Sequence, residues 1–207
     1  TIAAGNSLGI SPIKEYGTEE QKEKYLPRLC KSHLWGFGLT EENAGCDSRG
    51  TQSTARLEGD KWIVNGSKIF ITNSATPMTL GSTIQVITGE NNGKPEFTTF
   101  IIENDTEGFS QEPMHRKMMW RASNTGKLTF NNVELPKENM LGKPGQGSHI
   151  MLATLDGGRL SIAAMGLGCA QGAYEMALAY SQKREQFGKQ ICKFQAVSFK
   201  LADMAMK

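Results

Sequence analysis

In Phe37-Gly-Leu-Thr-Glu-Glu-Asn-Ala-Gly-Cys-Asp-Ser-Arg-Gly50 an aromatic and a short apolar step run into Thr40, and Gly45 and Gly50 bracket Cys46 and Asp47. Such a segment ends a strand, turns tightly, and aims backbone N–H groups and a hydroxyl at a ligand. Lys68-Ile-Phe-Ile-Thr-Asn-Ser74 repeats the idea, an apolar strand closing on Thr72 and Asn73. Two strand ends that each offer a threonine suit a planar heteroaromatic whose ring nitrogens and carbonyls need hydrogen bonds. Glu41 and Glu42 beside Asp47 read as solvated acids of an ordinary turn rather than as a paired acid and base. The string Gly166-Leu-Gly-Cys-Ala-Gln-Gly172 is no dinucleotide fingerprint, because its last spacing is one residue too long and it lies within a helical pattern.

Other reactive residue types are scattered. Cys30, Cys46, Cys169 and Cys192 form no C-x-x-C pair and read as free thiols in a reducing compartment, and His33, His115 and His149 as surface or structural residues. A net charge of +2 argues against a strongly basic nucleic-acid surface, and 38% hydrophobic with 21% charged residues fits a soluble globular chain. No apolar run approaches the roughly 20 residues of a membrane span, so none is expected. Thr1 opens no charged-then-apolar leader, which predicts a bacterial cytoplasmic location, or a mitochondrial matrix one in a eukaryote.

Three kinds of element must position these residues. Residues 1–35 read as helical, with a capping box in Thr18-Glu-Glu-Gln21 and Pro27 limiting the helix that it starts. Residues 36–141 read as short strands: Ser82–Thr88, Phe97–Glu103, Lys127–Leu135, and Lys61–Ile71 as a hairpin turning at Asn65-Gly66. Glu90-Asn-Asn-Gly-Lys-Pro95 is a turn cluster, and strands at this spacing predict a closed or sandwiched antiparallel domain. Residues 142–207 return to a helical period, with Leu160, Ala163, Leu167, Ala170, Tyr174 and Leu178 on one face. Gly166, Gly168 and Gly172 would weaken that helix unless they permit close packing, and Gly188-Lys-Gln breaks the pattern before a last helix. Neither end carries a cap, so the chain reads as the middle of something longer.

The motif Gly38-Leu-Thr-Glu-x-x-Ala-Gly-x-Asp, with the Thr72 segment, resembles the acyl-CoA dehydrogenase family over nearly the whole chain, and most of all its short-chain (butyryl-CoA) type from anaerobic bacteria. The resemblance implies an α+β fold: an antiparallel β-barrel middle domain (36–141) between the end of an N-terminal helical domain (1–35) and the start of a C-terminal helical bundle (142–207) that is incomplete here. It implies FAD, held by Phe37, Leu39, Thr40, Cys46, Phe70, Ile71 and Thr72, with the Thr72 hydroxyl near flavin N5 and Phe70 as an aromatic wall where many relatives have Trp. Plain core packing is the other reading of Phe70. Cys46 stands where the family has Ser or Thr touching the CoA ester, so that contact is weaker here. Leu155-Asp-Gly-Gly-Arg159 resembles the segment that meets the adenosine end of CoA, which makes Asp156, Gly157 and Arg159 substrate-binding residues. Arg184, Phe187 and Gln195 match residues that reach the FAD of a neighbouring subunit.

The implied reaction is α,β-dehydrogenation of a short-chain acyl-CoA, with electrons passing to electron-transferring flavoprotein and the enzyme working as a homotetramer. No catalytic residue is expected in this chain. Gly158 rules out the variant with a glutamate before the arginine, and the short-chain type keeps its glutamate base past the point matching Lys207. A flavin oxidase or monooxygenase on the same fold, and a non-catalytic acyl-CoA-binding or partner-binding β-domain, remain as alternatives.

Overall fold

The Thr18 side chain accepts from the Gln21 amide while the Gln21 side chain accepts from the Thr18 amide, so the expected capping box starts a helix at Glu19. The computed structural model describes residues 2–207. Its helical N-terminal part runs through α1 (Ile2–Ala4), a π-helical turn (Gly5–Ile10), α2 (Ser11–Tyr16) and α3 (Glu19–Leu29). Pro27 lies inside α3 rather than closing it. The helix ends two residues later, since a proline near a C-terminus forfeits only one bond.

Eight strands follow: β1 (Leu34–Gly38), β2 (Thr54–Glu58), β3 (Lys61–Thr72), β4 (Thr79–Asn91), β5 (Lys94–Glu103), β6 (Phe109–Pro113), β7 (Thr125–Pro136) and β8 (Met140–Leu141). They form one sheet in the order β6-β7-β3-β2-β4-β5-β8, with β1 added beside β4. Most pairs are antiparallel, as expected, but β1 runs parallel to β4, and β2 meets β4 in parallel at Thr54 and Ile87. One face of the sheet curls over a single core, in which Val64 and Ile71 of β3 and Leu128, Phe130 and Val133 of β7 meet Ile84, Val86, Phe100 and Ile102 of β4 and β5. The α+β architecture with a β-rich middle is borne out.

The hairpin expected at Asn65-Gly66 is not there. β3 runs straight through it, and the β2–β3 turn is at Gly59-Asp60. Gly66, at φ +133°, marks a bulge against β7 where an added Cβ would lie 2.4 Å from the Ser53 hydroxyl. The Asn-Gly hairpin is instead Asn92-Gly93 between β4 and β5, with φ +52° and +74°.

A second core holds α2 and α3 against the sheet through Ile13, Tyr25, Leu29, Trp35, Ile101, Leu141 and Ile150. Gln21 donates to the carbonyls of Glu138 and Met140, Tyr25 donates to Glu103, and the Trp35 indole donates to Thr83. This compact unit extends to Arg159, into the first turns of α4 (Gly147–Lys183). The other unit, Leu160–Lys207, contains the rest of α4, a two-residue ladder of β9 (Glu185–Gln186) with β10 (Lys189–Gln190), and α5 (Gln195–Met206). Helix α4 is long and apolar enough to cross a membrane by length and composition, with a mean hydropathy of 1.3 over its most apolar window. Counting unbroken apolar runs overlooks it because residues such as Ser161, Gly166, Gln171 and Glu175 interrupt them. Within this unit Leu160, Leu167, Met176 and Phe199 are exposed, and a Cβ on Gly166, Gly168 or Gly172 would meet nothing within 4 Å, so the close packing expected of them is not seen in this chain.

Candidate functional site

Strand β1 ends at Gly38 and its continuation, Leu39 and Thr40, forms one wall of a cavity of about 320 Å³. The end of β3, Phe70 to Thr72, forms the other, and the Ile69 amide donates to the Thr40 carbonyl at 2.9 Å to tie the two together. Gly45 and Cys46 close the rim, and Ala4, Leu8, Trp35 and Leu155 complete the lining. Seven residues singled out in the sequence (Phe37, Leu39, Thr40, Cys46, Phe70, Ile71 and Thr72) therefore share one cavity. Its size lies at the lower end of the roughly 300–1,000 Å³ of ligand pockets, room for a fused-ring plane.

Phe70 is aimed by backbone geometry. The β3–β7 register slips between Lys68 and Ile71, so Ile69 and Phe70 sit in a bulge, and Phe70 takes φ +62° with its side chain 61% exposed. Left-handed backbone is costly for a bulky residue, on the order of 1–3 kcal/mol, and gathers at ligand sites. An exposed ring held in a strained bulge contradicts plain core packing. Thr40 and Thr72 are half-buried, and neither hydroxyl bonds to another described residue, so both are free for a ligand. A mostly apolar cavity with an aromatic ring and two unspent hydroxyls fits the polar-edged ring system of a flavin. Among the described residues no cluster of His, Cys, Asp and Glu suits a metal ion, and the four cysteines are unpaired.

The acids beside Thr40 divide in a way the sequence reading did not anticipate. Glu42 is exposed and pairs with Lys127 at 2.6 Å, but Glu41 is buried and accepts from the Lys68 ammonium at 2.6 Å, with side chains 5% and 0% exposed. Glu41 also accepts from the amides of Gln52 at 2.7 Å and Ser53 at 3.2 Å. Burial alone would raise its carboxyl, yet the Lys68 charge and those amides outweigh that and hold it below the usual carboxylate range. Burial pushes the Lys68 ammonium down, with Glu41 opposing. The signal was present: Lys68 shares the inward parity of Val64 on β3, and a charge at such a position demands an opposite one.

The remaining candidates lie elsewhere. Arg159 donates to Asp156 at 2.7 Å across one turn of α4, both side chains are largely solvent-exposed, and Gly157 sits between them with nothing within 4 Å of an added Cβ. None of the three lines the cavity, although their neighbour Leu155 does. In the second unit Phe187 forms the tip of the β9–β10 turn at φ +51°, 94% exposed, with its ring 6.1 Å from that of Phe194; Arg184 and Gln195 flank that turn and are exposed.

Models of the acyl-CoA dehydrogenase N-terminal, middle and C-terminal domains match residues 1–33, 36–133 and 145–207. The short-chain-specific acyl-CoA dehydrogenase of Clostridium acetobutylicum is 47% identical over 98% of this chain and 53% of its own length. The structure of butyryl-CoA dehydrogenase from Megasphaera elsdenii is 46% identical with a TM-score of 0.93, covering all of this chain and 54% of that one. A chain in a structural study of the electron transferring flavoprotein of Acidaminococcus fermentans gives the same identity, TM-score and coverage. The chain thus spans about half the length of the curated relatives it matches.

Proposed function

This chain belongs to the acyl-CoA dehydrogenase family, and we propose that the protein carrying it oxidises a short-chain acyl-CoA thioester between its α and β carbons, with FAD in the slot between Thr40 and Thr72. The carrying observation is that slot: two free threonine hydroxyls and the exposed Phe70 ring on walls joined by the Ile69–Thr40 bond. When bound, FAD supplies the acceptor for the β-hydrogen as hydride. The chain's own residues do the positioning. Leu39 and Thr40 offer backbone and hydroxyl to the polar edge of the ring, Thr72 offers a second hydroxyl, and Phe37, Phe70 and Ile71 exclude water from its faces. Cys46 at the rim is the weak donor toward the thioester side, and Asp156, Gly157 and Arg159 are assigned to the adenosine end of the CoA. Arg184, Phe187 and Gln195 are assigned to the FAD of a neighbouring copy in a homotetramer.

The short-chain relatives support the substrate class, and the electron transferring flavoprotein study supports that protein as acceptor. The proton-abstracting glutamate is assigned to the part of the relatives' length that this chain does not span. The three domain models support a division into 1–35, 36–141 and 142–207, and the unpaired cysteines support a reducing compartment, assigned as the cytoplasm in a bacterium or the mitochondrial matrix in a eukaryote.

The test is the visible spectrum of the full-length gene product before and after anaerobic addition of butyryl-CoA. A yellow protein whose flavin band bleaches is the expected result. Colour without bleaching would move the substrate elsewhere, and peroxide formation with substrate in air would make it an oxidase. A protein that stays colourless with added FAD would leave only a binding domain.

A further inference from the structure

A buried ion pair is poor evidence for stability, since apolar residues of similar volume often serve as well or better. The one between Lys68 and Glu41 therefore calls for a reason beyond stability, and its location supplies one. Lys68 lies two residues before Phe70 on one wall of the slot, and Glu41 directly follows Thr40 on the other. The Lys68 ammonium donates to Glu41 at 2.6 Å and reaches the carbonyl of Leu39, itself a wall residue, at 3.4 Å. The same carboxylate gathers the amides of Gln52 and Ser53, which lead into β2. One carboxylate thus joins the end of β1, the start of β2 and the middle of β3. Gly38 leaves a path for the lysine stem: a Cβ there would stand 2.9 Å from Ile84 Cγ2 and 3.4 Å from Lys68 Cγ.

We propose that the Lys68–Glu41 pair is a positioning brace, which fixes the separation and register of the two walls so that the Thr40 and Thr72 hydroxyls and the Phe70 ring stay set for one flat ligand. Neither residue lines the cavity; they act through Leu39, Thr40 and Phe70. The proposal rests on the assignment of that slot to FAD. It goes beyond that assignment in naming two residues outside the slot that set its affinity.

The test uses the full-length protein with Glu41→Gln and Lys68→Met combined, which removes both charges while an amide oxygen remains for the Gln52 and Ser53 amides. Three quantities are measured: the thermal midpoint, the FAD Kd from flavin fluorescence quenching, and hydrogen exchange at the Gln52, Ser53 and Ile69 amides without ligand. The expected outcome is a folded protein with a midpoint near wild type. Its FAD Kd rises at least ten-fold, its flavin band is shifted, and exchange is faster at those amides. A pair with a purely structural role would leave Kd, band and exchange at wild-type values once the charges are removed together, and that result overturns the proposal. If the double variant does not fold, Glu41→Asp, which keeps the charge opposite Lys68 but draws the carboxylate back by one methylene, carries the same comparison of Kd, band and exchange. Wild-type protein that leaves FAD unbound would overturn the assignment of the slot itself, a different failure from an unchanged variant.

Discussion

At the scale of residues, two side chains differ sharply in what their loss should do. Lys68→Met leaves the Glu41 carboxylate buried and uncompensated, and should lower the unfolding free energy by about 3–5 kcal/mol in a denaturant titration. Phe70→Ala removes a ring that is mostly exposed, so stability should stay within about 1 kcal/mol while FAD affinity falls, a split that calorimetry and flavin titration together would reveal. Glu41 also fixes a pH dependence. Its folded-state carboxyl is held below the ordinary value, so the unfolded chain binds the proton more readily, and stability is fully present above the unfolded value of about 4.3. It is lost as pH falls through the depressed folded value. Acid-induced unfolding of Glu41→Gln should show a shallower slope below about pH 4 than the parent, and identical slopes would refute the assignment.

Elements carry a second set of expectations, and here the reach of the sequence can be weighed. The capping box at Thr18 was legible because its two bonds join residues three apart, and Thr18→Ala should cost about 1 kcal/mol by thermal or chemical unfolding. The two walls of the slot were legible too, since each is a short apolar run ending in threonine. The Asn65-Gly66 hairpin failed for a physical reason. Asn-Gly supplies left-handed backbone wherever it is needed, and β3 uses it to pass Ser53 and to bond Asn65 with Asn132 of β7 rather than to reverse direction. Only the run of strand residues on both sides, paired across to β7, tells bulge from turn. The solvated-acid reading of Glu41 failed likewise, because its partner is 27 residues away and β pairing alone brings them together. The parallel placement of β1 beside β4 leaves no local mark at all.

For the whole molecule, the second unit carries exposed apolar side chains that the slot does not explain: Leu160, Leu167, Met176, Phe199 and Met206 stand open to solvent. A helix with that much apolar exposure gains by covering it. The 207-residue chain alone should therefore associate with rising concentration in sedimentation velocity, and Leu167→Lys with Met176→Lys should reduce that association; a chain that stays monomeric at high concentration would count against this. The sheet has a further consequence, for the order of folding. The β2–β3, β4–β5 and β6–β7 pairs join neighbours in sequence, whereas β1 finds β4 across some 45 residues and β3 reaches β7 across 53 to 75. Loop-closure entropy delays such distant pairings, so the hairpins should form first and β1 should dock late. The Leu39–Thr40 wall follows β1 directly, which makes the slot one of the last features to appear during refolding. Stopped-flow refolding with FAD present should then show flavin quenching trailing the β-sheet circular-dichroism signal, and simultaneous traces would mean that the wall is already in place when the hairpins close.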